Sequence, residues 1–196
     1  MKQLQAEQLV SRRIAESISV KQRILGDLAL LITVERVALQ MAEALRAGHK
    51  VFFMGNGGSA ADAQHLTAEL MGRYLRDRAP LAAIALNVNT SSLTAIGNDY
   101  SFDLVFARQL QALGNSGDIA VGLSTSGNST NVVRAMESAR EKRMTTVALT
   151  GASGGRLKMA VDYCICVPSD ETSHIQEAHI TLGHILCEII EDELFG

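Results

Sequence analysis

The sequence has no tryptophan, only two prolines, and no apolar stretch able to span a bilayer. Its longest apolar run, Leu28 to Val34, is broken by Thr33, whereas a spanning helix needs about 20 residues. No membrane partner is expected. Charge of one sign is also scarce, with 18 basic side chains facing 21 acidic ones for a formal net charge of −3. A surface that neutralises phosphates along a strand needs clustered Lys and Arg, so no nucleic acid is expected either. No apolar h-region lies within Met1 to Arg13, so no export signal is visible. The three cysteines, Cys164, Cys166 and Cys187, are odd in number. They read as reduced, small core residues of a cytoplasmic protein, the first two sharing one face of a strand. No internal repeat or low-complexity linker interrupts the chain. The rest of the composition is that of an ordinary globular protein, 47% hydrophobic and 20% charged. At 196 residues, one domain over 1–196 that buries about 70% of its unfolded surface is the expectation.

The first 48 residues differ from those that follow. Ile14, Ile18 and Leu25, then Leu30, Val34, Val37, Met41 and Leu45, recur at three- and four-residue steps, the mark of helices with one apolar stripe. Such helices pack on the following domain or on a partner subunit. After Gly48 the pattern changes to short apolar runs alternating with helical stretches. Strands are expected over Lys50–Met54, Leu81–Leu86, Asp118–Leu123, Thr145–Leu149 and Tyr163–Val167. Helices are expected near Ser59–Arg73, Phe102–Leu113, Asn128–Glu141 and Ile175–Leu194. Continuous apolar strands joined by crossover helices predict a doubly wound α/β fold, a three-layer αβα sandwich around a parallel sheet of about five strands. Ligands of such sheets sit at the carboxyl ends of the strands, near a switch in strand order.

Two strand ends carry anion-binding chemistry. The first strand runs into Gly55-Asn56-Gly57-Gly58-Ser59-Ala60, which fits the spacing of a dinucleotide fingerprint. The acidic residue that should hold a ribose at the end of the second strand is missing, because Leu86-Asn87-Val88-Asn89 stands there. A nucleotide is therefore not the expected ligand. The glycines still let backbone N–H groups approach an anion, and Ser59 can cap the next helix. The third strand ends in Ser124-Thr125-Ser126-Gly127-Asn128-Ser129, where hydroxyls, free backbone donors and a positive helix end coincide. That run reads either as a capped turn or as a phosphate cradle. Two such loops on neighbouring strand ends favour a phosphorylated small molecule.

His65 and Glu69 are four residues apart on the helix after the glycine loop and share a face. They read either as a solvated pair or as two ligands of a divalent metal such as zinc. The last helix adds Gln176, His179 and His184. Gln176 and His184 are about 12 Å apart along the axis. To reach one ion, Gln176 must lie at or before the helix start, or two subunits must contribute. His179 points elsewhere and is expected to be packed.

Gly55-Asn56-Gly57-Gly58-Ser59, Ala63-Gln64-His65 with Glu69-Leu70-Met71-Gly72-Arg73-Tyr74, Gly97-Asn98-Asp99, the serine run, and Ile175-Gln176-Glu177-Ala178-His179 with His184 together resemble the phosphoheptose isomerase (sedoheptulose 7-phosphate isomerase) family of the sugar-isomerase (SIS) superfamily. The serine run alone indicates the superfamily; His65 and Glu69 with Gln176 and His184 mark the isomerase branch. The resemblance implies a SIS-type, flavodoxin-like sandwich preceded by two helices. It also implies one zinc ion per subunit on His65, Glu69, Gln176 and His184, with Glu69 and His184 as the acid–base pair. Asn56, Gly57, Gly58, Glu69, Asn98, Asp99 and Gln176 would contact a phosphorylated seven-carbon sugar. Ser124, Thr125, Ser126 and Ser129 would hold its phosphate. Family members are homotetramers with active sites shared between subunits. The chain departs from the family at His174, where Arg is usual, and at Ala60, where some members carry His.

Moving a proton between C1 and C2 of such a sugar through an enediol needs a base, an acid and a stabilised oxyanion. Glu69, His184 and zinc answer these needs. Two rivals from other classes are a SIS-type binding protein that associates with a replication initiator, which lacks the equivalent of Glu69, and a sugar-phosphate sensor without turnover.

Overall fold

The computed structural model describes residues 2–196, with side chains from residue 6 onward. Two helices lead: α1 (Lys2–Gly26) and α2 (Leu28–Arg46). Asp27 separates them, and its carboxylate accepts the backbone N–H of Leu30, which caps α2. The predicted stripe of α2 is the buried one: Leu30, Val34, Val37, Met41 and Leu45 all face the core. That of α1 is not. Val20 and Ile24 are the buried positions, while Ile14, Ile18 and Leu25 remain 56%, 50% and 75% exposed.

The remaining elements are β1 (Val51–Gly55), α3 (Gly58–Met71), β2 (Ala83–Ala85), α4 (Thr90–Asp99), a 3-10 turn at Phe102–Leu104, α5 (Ala107–Leu113), β3 (Ile119–Ser124), α6 (Thr130–Glu141), β4 (Thr145–Thr150), α7 (Leu157–Ala160), β5 (Tyr163–Cys166) and α8 (Thr172–Phe195). The five strands form one parallel sheet in the order β2-β1-β3-β4-β5. The central strands β1, β3 and β4 bury both faces because helices cover both sides, which is why they read as unbroken apolar runs, while the edge strand β5 is only partly buried. Phe53, Val121, Leu149 and Ile165 face the layer of α2, α3 and α8. Phe52, Met54, Ala120 and Ala148 face that of α5 and α6. The predicted doubly wound αβα sandwich is the fold observed.

The differences from expectation are local. Serine 59 does not cap α3: Gly57 occupies that position and Ser59 is buried in the first turn. The helix expected from Phe102 begins at Ala107, because Ser101 caps the 3-10 turn by accepting from Asp103 N–H. Helix α4 escaped the sequence reading because none of its residues is fully buried, so it shows no strong apolar stripe. Among the described residues no helix is long and apolar enough to cross a membrane.

The direction of travel reverses between β2 and β3, on either side of β1. Gly55 at the end of β1 therefore lies in register with Leu123, one residue before the end of β3. Helices α3 and α8 both leave this carboxyl edge and run back along the sheet. They are consequently parallel neighbours, and this pairing builds the site.

Candidate active site

The two loops at the switch point are laced together by side-chain amides. Asn56 and Asn131 exchange two hydrogen bonds, each 2.9 Å, across the gap between β1 and β3. Asn87, at the end of β2, donates to the Gly55 carbonyl at 2.7 Å, and its own amide oxygen is buried without a partner. Neither Asn87 nor Asn131 stood out in the sequence. Asn87 lies just after an apolar run and Asn131 just after the serine run, and those placements were the available signal.

The serine turn is not a simple cap. Ser129 occupies the N-cap position of α6 but makes no side-chain bond to the helix. Its hydroxyl instead pairs with that of Ser124 at 2.9 Å, while Ser126 accepts from Asn128 N–H at 3.1 Å. Gly127 has φ +66, and a Cβ there would fall 2.1 Å from the Gly154 carbonyl oxygen. The β4–α7 loop thus supports the turn from below, with Gly151 N–H donating to the Thr125 carbonyl at 2.9 Å. Ser124, Thr125 and Ser126 shortly precede the partly buried start of α6, where the helix dipole favours an anion.

On α3, His65 Nε2 lies 3.1 Å from Glu69 Oε1, as the i,i+4 spacing requires. The parallel helix α8 adds His184, whose Nε2 is 2.9 Å from His65 Nε2. All three offer a ligand atom within 4.8 Å of one another, a two-nitrogen, one-oxygen donor set suited to zinc. Gln176 sits inside α8, four positions beyond the first residue, and so not at or before its start, the first of the two arrangements its spacing left open. Its amide lies over Gly58, where a Cβ would come within 2.5 Å of Gln176 Nε2. Gln176 and His184 thus both face α3, at its beginning and its middle. The juxtaposition of Glu69 with His184 needs no second chain.

Neighbouring groups sharpen the picture. Asp62, one turn before His65, has a carboxyl raised above its ordinary value by burial and only partly offset by His65. One of its oxygens is buried without a hydrogen-bond partner. The Tyr74 ring stacks on that of His184, centroids 5.5 Å apart and planes at 18°. His179 is packed as expected: it is fully buried, its Nε2 contacts the Thr150 carbonyl at 3.1 Å, and burial lowers its pKa to about 4. Asn98 and Asp99 lie at the exposed far end of α4, where Asn98 donates to Asp99 at 2.9 Å. His174 is buried between Glu16 of α1 and Glu177. Ala60 lies in the first turn of α3.

The chain matches the SIS domain family over residues 14–151. It is 52% identical over 183 residues to a phosphoheptose isomerase of Akkermansia muciniphila, covering 93% of this chain and 94% of the relative. With the phosphoheptose isomerase of Rhodospirillum rubrum the identity is 57% over 170 residues, covering 87% and 89%. The solved phosphoheptose isomerase of Neisseria gonorrhoeae superposes with a TM-score of 0.90 at 44% identity, covering 95% of this chain and 99% of that one. The chain therefore belongs to the SIS domain family and, within it, to the phosphoheptose isomerases, which are aldose–ketose isomerases.

Proposed function

We propose that this protein, as a single SIS domain over residues 1–196, interconverts sedoheptulose 7-phosphate and D-glycero-D-manno-heptose 7-phosphate, the first step of ADP- or GDP-heptose biosynthesis. The observation that carries this reading is the convergence of His65, Glu69 and His184 on one point. His65, Glu69, Gln176 and His184 would hold one zinc ion per subunit. When bound, zinc supplies a Lewis acid beside the sugar oxygens that become negative during enolisation.

The chain's own residues account for the proton movements. Ser124, Thr125, Ser126 and Ser129 bind the phosphate, and Asn56, Gly57 and Gly58 line the neighbouring loop. Seven residues of α3 carry the site about 10 Å from that loop to His65. A ligand with phosphate at one end and a carbonyl at the other suits this span. Glu69 removes the C1 proton of the ketose while His184 donates to the C2 oxygen, giving the enediol. Glu69 then returns its proton to C2, and His184 recovers one from the C1 oxygen. The net change is one hydrogen moved between carbons and one between oxygens.

The exposed Ile14, Ile18 and Leu25 of α1 favour assembly of several copies, and the exposed Asn98 and Asp99 favour their use by a neighbouring copy. A homotetramer with shared active sites, working in the cytoplasm, is the arrangement we infer. The test is turnover of sedoheptulose 7-phosphate by the purified protein together with its metal content. Turnover with about one zinc per chain supports the reading. Binding of the sugar phosphate without turnover would make the protein a binding module or sensor.

A further inference from the structure

Residues 72–82, between α3 and β2, form no regular secondary structure, and most are exposed. Helix α8 nevertheless pins this segment with one carboxylate. Glu191, 1% exposed, accepts the backbone N–H of Tyr74 at 2.8 Å and those of Leu75 and Arg76 at 2.9 Å each. Arg78, whose side chain is as deeply buried, donates Nε–H to Glu191 at 3.0 Å. Burial alone would raise the Glu191 carboxyl, but these three N–H donors and the Arg78 charge hold it below the ordinary range. The other guanidinium nitrogens donate to the carbonyls of Glu69, Leu70 and Gly72 at 2.9, 2.7 and 3.1 Å. Those carbonyls belong to the end of α3, where the helix leaves acceptors unpaired. The buried pair therefore ties α3 to α8 just beyond Glu69, on the face that carries His184 two turns earlier.

Tyr74 is the first residue that this bracket holds, and its ring lies nearly parallel to that of His184. His65 meets the same imidazole edge-on, with centroids 5.1 Å apart and planes at 69°. Among the described residues no protein group hydrogen-bonds the second ring nitrogen of His184, so packing is what sets its plane. Outer groups that orient a ligating imidazole, most often by hydrogen bonding, are ordinarily worth an order of magnitude in affinity or activity.

We propose that Tyr74 is a positioning residue for His184: its ring, carried on backbone that Glu191 holds, keeps His184 Nε2 facing His65 and Glu69. The inference rests on the reading of His184 as a zinc ligand and proton carrier. Two variants test it, Tyr74→Leu, which removes the ring, and Tyr74→Phe, which keeps it. Zinc affinity is measured by chelator competition without sugar, and kcat and KM are measured separately with sedoheptulose 7-phosphate. Tyr74→Leu should weaken zinc binding and lower kcat by about tenfold each, with KM nearly unchanged. Tyr74→Phe should restore both. Wild-type zinc affinity and kcat in Tyr74→Leu would overturn the proposal. A Tyr74→Phe variant as impaired as Tyr74→Leu would overturn it too, because the hydroxyl and not the ring would then be the working part. If the unaltered protein turns over no sugar, the isomerase reading fails on that measurement alone, and the zinc titration still decides the role of Tyr74.

Discussion

His65 and His184 are 119 residues apart in the chain, yet their Nε2 atoms lie 2.9 Å from each other. The sheet topology explains this. Both residues sit on helices that start at the carboxyl edge of a parallel sheet and run back over the same face, so residues at matching depth meet. Glu69 joins them from one turn further along α3, 3.1 Å from His65. A carboxylate is thus placed beside two imidazoles with one side half-open to ligand, the arrangement a proton shuttle requires.

The first prediction concerns that carboxylate. Glu69→Gln should abolish turnover while sugar-phosphate binding, measured by calorimetry, stays within a few-fold of wild type. The amide keeps the shape of the side chain but cannot accept the C1 proton. A kcat near that of the wild type would remove Glu69 from the mechanism.

The second concerns the serine turn. Ser124 spends its hydroxyl on Ser129 and Ser126 on Asn128 N–H, so both are oriented in advance of any ligand. Each donor to an anionic phosphate is worth about 1.5–3 kcal/mol. The double variant Ser124→Ala with Ser126→Ala should therefore raise KM by at least about tenfold with a smaller change in kcat. Affinity that barely moves would reduce the turn to a structural role.

Much of this was legible in the sequence because the relevant signals are local. Strand ends, glycine loops and the i,i+4 pair on α3 follow from residue type and spacing alone. What escaped depends on contacts between distant elements. Tyr74, Arg78 and Glu191 look like surface residues of an irregular segment and a helix end, yet the last two are buried against each other. Asn131 carries no local signal of its own, because its role lies in the pair it makes with Asn56 across two strand ends. The Gln176–His184 spacing left two arrangements open, and the first is not the one observed: Gln176 lies inside α8 over Gly58, at the start of α3, while His184 meets His65 two turns further along. The α1 stripe was legible as a pattern but not as a location, because an apolar face does not say which surface covers it.

The third prediction is a pH dependence. Burial lowers the His179 pKa to about 4 from an ordinary 6.5, so the unfolded chain takes up this proton first as the pH falls. The stability that the neutral ring contributes is complete above about 6.5 and is lost as the pH drops toward 4, amounting to about 2 kcal/mol by pH 5. His179→Gln, which can still donate to the Thr150 carbonyl, should lose that much less between pH 7 and pH 5. Urea unfolding with chelator present throughout checks this without a contribution from metal release. Equal losses in the two proteins would show that His179 does not govern acid sensitivity.

The last prediction asks which groups come from which chain. Glu69 and His184 converge within one chain, so mixing Glu69→Gln with His184→Ala protein and reassembling the oligomers should leave every site with one lesion. That mixture should stay inactive. Asn98 and Asp99 are different, because they stand on the exposed end of α4, a helix with no fully buried residue of its own. If they serve a neighbouring subunit, mixing Glu69→Gln with Asp99→Ala protein creates some sites in which an intact Glu69 faces an intact Asp99 from another chain. Activity should then partly return, in proportion to the fraction of such sites. Recovery in the first mixture would mean that Glu69 and His184 act across an interface despite meeting within one chain. Failure in the second, with oligomers shown by sedimentation to be mixed, would place Asp99 in the same chain's site or outside the reaction, and α4 would then have to move toward the switch point to matter.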